Sequence, residues 1–344
     1  MNNLMLYVIT VLVWGSTWLM IQFQLGEVAP EVSIVWRYAM ATVLLFAWCA
    51  AAGRRLRFSL AAHLRFFGLG LMLFSLNYIA TYTAQQYISS ALNAVVFSTM
   101  MWMNVVNARL IFGTRIEPRM WLGGVLGSLG ILAIFWPAVA ELSWADATVK
   151  GAAISITGAF IASLGNMLSK RSQEQGLPVL QSNAWGMFYG TLVTAVIAWR
   201  LDLPFTFEWS FSYVGSLVYL AVFGSIVAFG TYLKLLGNIG PHKAGYALVM
   251  FPVVAVLLSM AFEGLRPNAA MIAGIAAVLA GNVLVLGFWK KGRELRRWLA
   301  AQRHHWLDRK VVVNPPPVPE WQRERLERES REESQGPGCA APSA

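Results

Sequence analysis

The chain has 344 residues, of which 57% are hydrophobic and only 13% charged, and its formal net charge is +10. A soluble domain carries about 25% charged residues, and so few cannot wet the exterior of a chain this apolar, which excludes a soluble fold for most of it. The positive balance suits a nucleic-acid partner, but its distribution argues against one, because Lys and Arg sit mainly in short loops and the last stretch of the chain, the distribution of a membrane topology signal.

Apolar runs of about 20 residues, enough to cross a hydrocarbon core roughly 30 Å thick, recur along the chain. In order they predict helices at 4–22, 32–52, 66–86, 89–111 and 119–137, then at 148–170, 181–199, 211–233, 243–262 and 268–288. The polar stretch Gln85, Gln86, Tyr87, Ser89, Ser90 divides the third from the fourth. The first run lacks a basic leader and a cleavage site and reads as a retained helix. Many of the 15 Trp residues lie near the ends of the runs, as an interfacial belt requires. Cys49 sits in an apolar run and Cys339 in the tail, so neither a disulfide framework nor a Cys metal site is expected.

Charge in alternate loops gives an orientation. One side receives Arg54, Arg55, Arg57 and Arg65, then Arg109, Arg115 and Arg119, then Lys170 and Arg171, then Lys234 and Lys243. The other has Lys150, Arg200 and Arg266 with most loop acids: Glu27, Glu31, Glu141, Asp146, Asp202, Glu208 and Glu263. This alternation predicts a multi-pass protein of the inner (plasma) membrane with ten spans and both termini cytoplasmic. Five spans per half make the halves, 4–137 and 148–288, inverted repeats, a transporter architecture. The stretch from Ala91-Leu92-Asn93-Ala94 to Pro118 is weakly similar to that from Ala244-Gly245-Tyr246-Ala247 to Pro267.

Residues 289–344 form a separate cytoplasmic tail. Trp289, Leu295, Trp298, Leu299 and Trp306 recur at helical spacing among Lys and Arg over 289–310, which predicts an amphipathic helix on the anionic lipids of the inner leaflet. Pro315-Pro316-Pro317 is a stiff spacer. Over 320–334 Arg and Glu alternate, with the pairs Glu324–Arg328 and Glu327–Arg331 suited to a solvated helix, and the last ten residues read as disordered.

Trp14-Gly15-Ser16-Thr17-Trp18, then Gly26, Pro30 and Trp36-Arg37-Tyr38, then the opening of helix 4 at Ser89–Ala94, resemble the EamA-type transporters of the drug/metabolite transporter superfamily. The resemblance covers roughly 4–288. It implies an all-α integral membrane protein of ten transmembrane helices in two inverted five-helix repeats. It also implies a secondary transporter that exports amino acids and other small metabolites on ion or substrate gradients. Two features depart from the family pattern: Met100-Met101 replace a proline within helix 4, and the turn after it reads Gly113-Thr114-Arg115, while the second half keeps Pro252 and Glu263.

A polar side chain in lipid is costly unless it faces protein or a water-filled cavity, so polar groups in mid-run mark a candidate site. In helix 1, Gly15 loosens the backbone beside the aromatic wall of Trp14, while Ser16 and Thr17 satisfy freed carbonyls or bind substrate. In helix 3, Asn77 and Thr81 share a face next to Tyr78. Asn104, Asn166, Tyr189 and Tyr246 are further lining candidates, with interhelical hydrogen bonding as the alternative. Arg37 is the one Arg well inside an apolar run; it either holds an anionic substrate group in a cavity or snorkels to the outer headgroups. Pro252 kinks helix 9 as a gate, and Glu263 is a coupling acid or a solvated loop acid.

No Asp or Glu lies deep in a run, so no buried proton carrier is evident, and facilitated diffusion or exchange stays open. The neutral and aromatic lining suits a zwitterion such as an amino acid. His63, His242, His304 and His305 lie outside the helix cores with no acidic cluster beside them, so no enzyme activity, metal or cofactor is expected. A channel or a non-transporting sensor is the competing reading. Gly123, Gly127 and the Ala/Gly-rich helix 10 either pack within the bundle or form a homodimer seam.

Overall fold

The computed structural model describes residues 1–136, 146–262 and 268–286, together with 320, 322–325 and 328. All regular structure among the described residues is helical. Helix α1 is Asn3–Gln22, α2 Pro30–Ala51 and α3 Leu60–Gln85 with a π-helical segment at Met72–Leu76. Helix α4 comes in two pieces, Ser90–Phe97 and Met100–Phe112, and α5 is Pro118–Ile134. Helix α6 is Asp146–Glu174, α7 Val179–Arg200, and α8 Phe211–Ile239 with a π-helical segment at Leu220–Val227. Helix α9 runs as Pro241–Ala244, a 3₁₀ stretch Gly245–Met250 and Phe251–Phe262; α10 is Ala269–Leu286.

Local sequence explains where these elements start and stop. Ser59, Ser89 and Ser210 cap α3, α4 and α8 by accepting backbone N–H bonds, and Pro30 and Pro118 open α2 and α5 where a missing N–H is harmless. Gly113 ends α4 at φ +64°, a conformation only glycine adopts freely. The Ser59 cap starts α3 six residues ahead of the expected 66, with His63 packed edge-on against Phe66, Trp185 and Tyr189.

One helix over 89–111 is expected, yet α4 breaks at Ser98 and Thr99. Their hydroxyls bond back to the carbonyls of Val95 (2.6 Å) and Val96 (2.7 Å), which bends a helix without the family's proline. In α9 the irregular stretch lies just ahead of Pro252, whose ring clashes with the carbonyl four residues back and pushes Gly245–Met250 into 3₁₀ geometry.

Among the described residues seven helical stretches are long and apolar enough to cross a membrane, and α5 and 269–285 are shorter apolar helices. The burial pattern is that of a protein in lipid: Leu60 and Leu110 are 78% and 76% exposed, while Arg37 and Asn104 are 1% and 0% exposed. Helices approach closest at glycines. A Cβ on Gly130 would stand 2.6 Å from the Gly274 carbonyl oxygen, and one on Gly127 would stand 3.0 Å from Val249. Gly123 meets the Gly281 backbone in the same way. The small-residue stripe of α5 therefore faces α10 and α9 within the bundle.

The chain divides into two compact units, Met1–Leu286 and Gly287–Ala344. In the second, Glu324 and Arg328 form the expected pair at 3.6 Å. The 289–310 segment, Pro315–Pro317, Glu327 and Glu263 lie outside the described residues.

Candidate functional site

Helices α1, α2, α3, α4, α6, α8 and α9 enclose a cavity of about 60 Å³. One water needs about 10–15 Å³, so the space admits more than a single trapped solvent molecule. Of the residues expected to line a site, Trp14, Thr17, Arg37, Asn77, Tyr78, Thr81 and Asn166 meet here.

Arg37 turns inward and does not snorkel. Its Nε donates to Ser225 Oγ at 2.9 Å, while Nη1 and Nη2 make only long contacts, 3.4 Å to Tyr82 Oη and 3.5 Å to Tyr78 Oη. The guanidinium lies over the Tyr78 ring at 4.6 Å. Ion pairs among the described residues join Arg119 to Glu117, Lys170 and Arg171 to Glu174, and Arg328 to Glu324, and none includes Arg37. Two of its nitrogens are thus barely engaged, in a place where an unpaired charge is costly.

The π-helical segment of α8 is the seat for this arginine. Ser225 Oγ donates its own proton to the Leu220 carbonyl five residues back (3.0 Å), so it is free only to accept from Arg37. Gly224 leaves room for the guanidinium, since a Cβ there would lie 3.1 Å from Nη2. The Gly224 carbonyl accepts from Trp14 Nε1 at 3.0 Å, which fixes the indole edge-on to Phe229 at 4.8 Å.

The polar stripe of α3 forms as expected. Thr81 Oγ1 donates to the Asn77 carbonyl at 2.8 Å, and Asn93 Nδ2 holds the Thr81 carbonyl at 2.9 Å. Asn77 Oδ1 is buried and has no hydrogen-bond partner. Across the cavity, Asn166 Nδ2 donates to Tyr232 Oη (3.0 Å) and to Asn104 Oδ1 (3.2 Å), which puts Asn104 behind Asn166 and out of the lining.

The other expected residues lie outside the lining. Ser16 contacts the Tyr219 hydroxyl at 2.6 Å, Tyr189 contacts His63 Nδ1 at 3.0 Å beside Trp185, and Tyr246 donates to the Met120 carbonyl. Gly15 is a close contact point, because a Cβ there would meet Val254 Cβ at 2.5 Å. Pro252 marks the change from 3₁₀ to α geometry beside Phe251, which does line the cavity.

The sequence reading misses much of the apolar wall, including Trp18, Phe97, Met100, Phe229, Tyr232 and Phe251. It also misses Gly224 and Ser225. A Gly-Ser pair in mid-run was the available signal. One cation, one unsatisfied amide oxygen and an aromatic wall can hold an anionic group attached to an apolar body.

The family model described as "EamA-like transporter family" matches residues 2–136 and 149–287. The uncharacterized inner membrane transporter YedA of Escherichia coli strain K12 is 28% identical over 267 residues, 74% of this chain and 80% of that protein. The uncharacterized transporter YoaV of Bacillus subtilis strain 168 is 24% identical over 258 residues, 74% of this chain and 87% of that protein. A solved crystal structure matches with a TM-score of 0.70 at 18% identity, covering 84% of this chain and 98% of that one, a likeness of fold alone.

Proposed function

Because the chain belongs to the EamA-like transporter family of membrane proteins, we propose that it is a secondary transporter exporting small carboxylate-bearing metabolites, amino acids among them, through this cavity. The single observation that carries the assignment is Arg37. It is a fully buried guanidinium with one short hydrogen bond, it lines the cavity, and no carboxylate neutralises it among the described residues. A substrate carboxylate supplies the missing acceptor pair, and Asn77 Oδ1 is the polar atom left for a donor on the same substrate.

The proposed mechanism is alternating access between two inverted five-helix repeats, 4–137 and 148–288, with both termini cytoplasmic. The two family matches, one in each half, support it. So do paired irregularities in the third and fourth helices of each half. A π-helical segment interrupts α3 and α8, and α4 and α9 are both broken. Each π segment also offers a serine to the second helix of the other half: Ser75 accepts from Thr194 at 2.8 Å, as Ser225 accepts from Arg37.

Below the cavity Thr10 meets Thr231 at 2.9 Å and Tyr7 donates to Asn282 at 2.6 Å. With the N-terminus cytoplasmic, these two contacts would form the inner closure of the proposed cycle. Comparing metabolites inside and outside cells with and without the protein tests the assignment. Carboxylate-bearing solutes should build up outside only when it is present, and identical profiles would refute it.

A further inference from the structure

Resting on the reading above, we propose that the site selects its cargo by net charge: the preferred substrate is an organic monoanion with an apolar body, and the membrane potential drives its exit without a coupling ion. Among the lining residues Arg37 bears the only formal charge. Among the described residues of Met1–Leu286, the acids Glu27, Glu31, Glu117, Asp146, Glu174, Asp202 and Glu208 all lie in loops or at helix ends.

A monoanion on Arg37 leaves the loaded cavity electrically neutral, the least costly condition for a site that must close inside a low-dielectric bundle. A zwitterion restores the imbalance, because its ammonium adds a second positive charge beside the first. The groups facing that ammonium are the Asn77 amide oxygen and aromatic rings, where balance calls for a carboxylate. A cation fits least. The order monoanion, zwitterion, cation follows from the charge of the lining.

The driving force follows from the same charge. Each monoanion leaving an inside-negative cell carries one elementary charge down the potential, and 100 mV sustains a gradient of about fifty-fold. No carboxylate in the lining is placed to carry a proton the other way.

The test uses the purified full-length chain in proteoliposomes with an imposed potassium diffusion potential. The probes are three matched pairs: alanine with lactate, leucine with 2-hydroxyisocaproate, and phenylalanine with phenyllactate. Each pair exchanges ammonium for hydroxyl at nearly constant shape, and protein-free liposomes correct for passive leak. The expected result is that at least one hydroxy acid moves about ten-fold faster than its amino acid, generates a current, and changes its steady gradient about ten-fold per 60 mV.

Amino acids moving as fast or faster, with flux lost in Arg37→Gln, would overturn the charge rule and leave the carboxylate-binding reading intact. Hydroxy-acid flux indifferent to the potential would overturn the driving force. No protein-dependent flux of any of the six would overturn this inference and the transport reading together.

Discussion

Replacing Arg37 by Met removes the charge from the cavity wall at nearly constant length, and it separates a functional arginine from a structural one. Folding loses the 2.9 Å bond to Ser225 and the two contacts at 3.4 and 3.5 Å. A hydrogen bond from a charged group is worth about 1.5–3 kcal/mol, and the long pair together adds less than one such bond. Against that loss, an arginine within the membrane costs about 2.5–3.5 kcal/mol on insertion scales, a penalty Met does not carry. The two sides nearly cancel. Ser225 keeps its own bond to the Leu220 carbonyl, so no new orphan donor appears there. With the lost contact to the Tyr78 ring included, stability in detergent should therefore stay within about 3 kcal/mol of wild type. Transport should not survive: losing two charge-assisted bonds to a carboxylate removes about 3–6 kcal/mol, roughly 10²–10⁴-fold in kcat/KM. Thermal unfolding and proteoliposome flux, measured on the same preparations, check both halves. A variant that fails to fold, or one that folds and transports within about ten-fold of wild type, would refute the reasoning.

Three further outcomes are expected. Gly15→Ala brings a methyl to 2.5 Å from Val254 Cβ, an overpacking that costs about 1–3 kcal/mol; adding Val254→Gly should recover part of it, and strictly additive effects in thermal unfolding would rule out the contact. Thr10→Cys combined with Thr231→Cys, in a background carrying Cys49→Ser and Cys339→Ser, should stop transport on oxidation and regain it on reduction, because the 2.9 Å hydroxyl contact must open for the inner side to be reached. Unaltered flux in the fully oxidised protein would exclude that closure. In the same background, an impermeant thiol reagent added to whole cells should label Ser210→Cys but not Ala52→Cys, and the opposite pattern would invert the topology.

Membrane-length helices are legible in the sequence because lipid fixes their length, and seven helical stretches among the described residues are long and apolar enough to cross. The site is legible in part for a related reason. In lipid a polar side chain must turn inward, and Trp14, Thr17, Arg37, Asn77, Tyr78, Thr81 and Asn166 do so into one cavity. Yet Ser16, Tyr189 and Tyr246 meet the same requirement with a single tie to a neighbouring helix, and nothing in their spacing separates the two outcomes. Nor could spacing reveal Gly224 and Ser225. In a run of small and apolar residues they read as packing, and only the π-helical register brings their backbone and hydroxyl to Trp14 and Arg37. Polarity thus encodes direction, but not which inward groups the fold leaves unpaired. Most of the buried amides and hydroxyls near the cavity find protein partners. Among the lining residues Arg37 keeps two nitrogens with only distant phenols and Asn77 keeps a bare oxygen, and this remaining demand, which a passing carboxylate and its donor can meet, is what supports the proposed site.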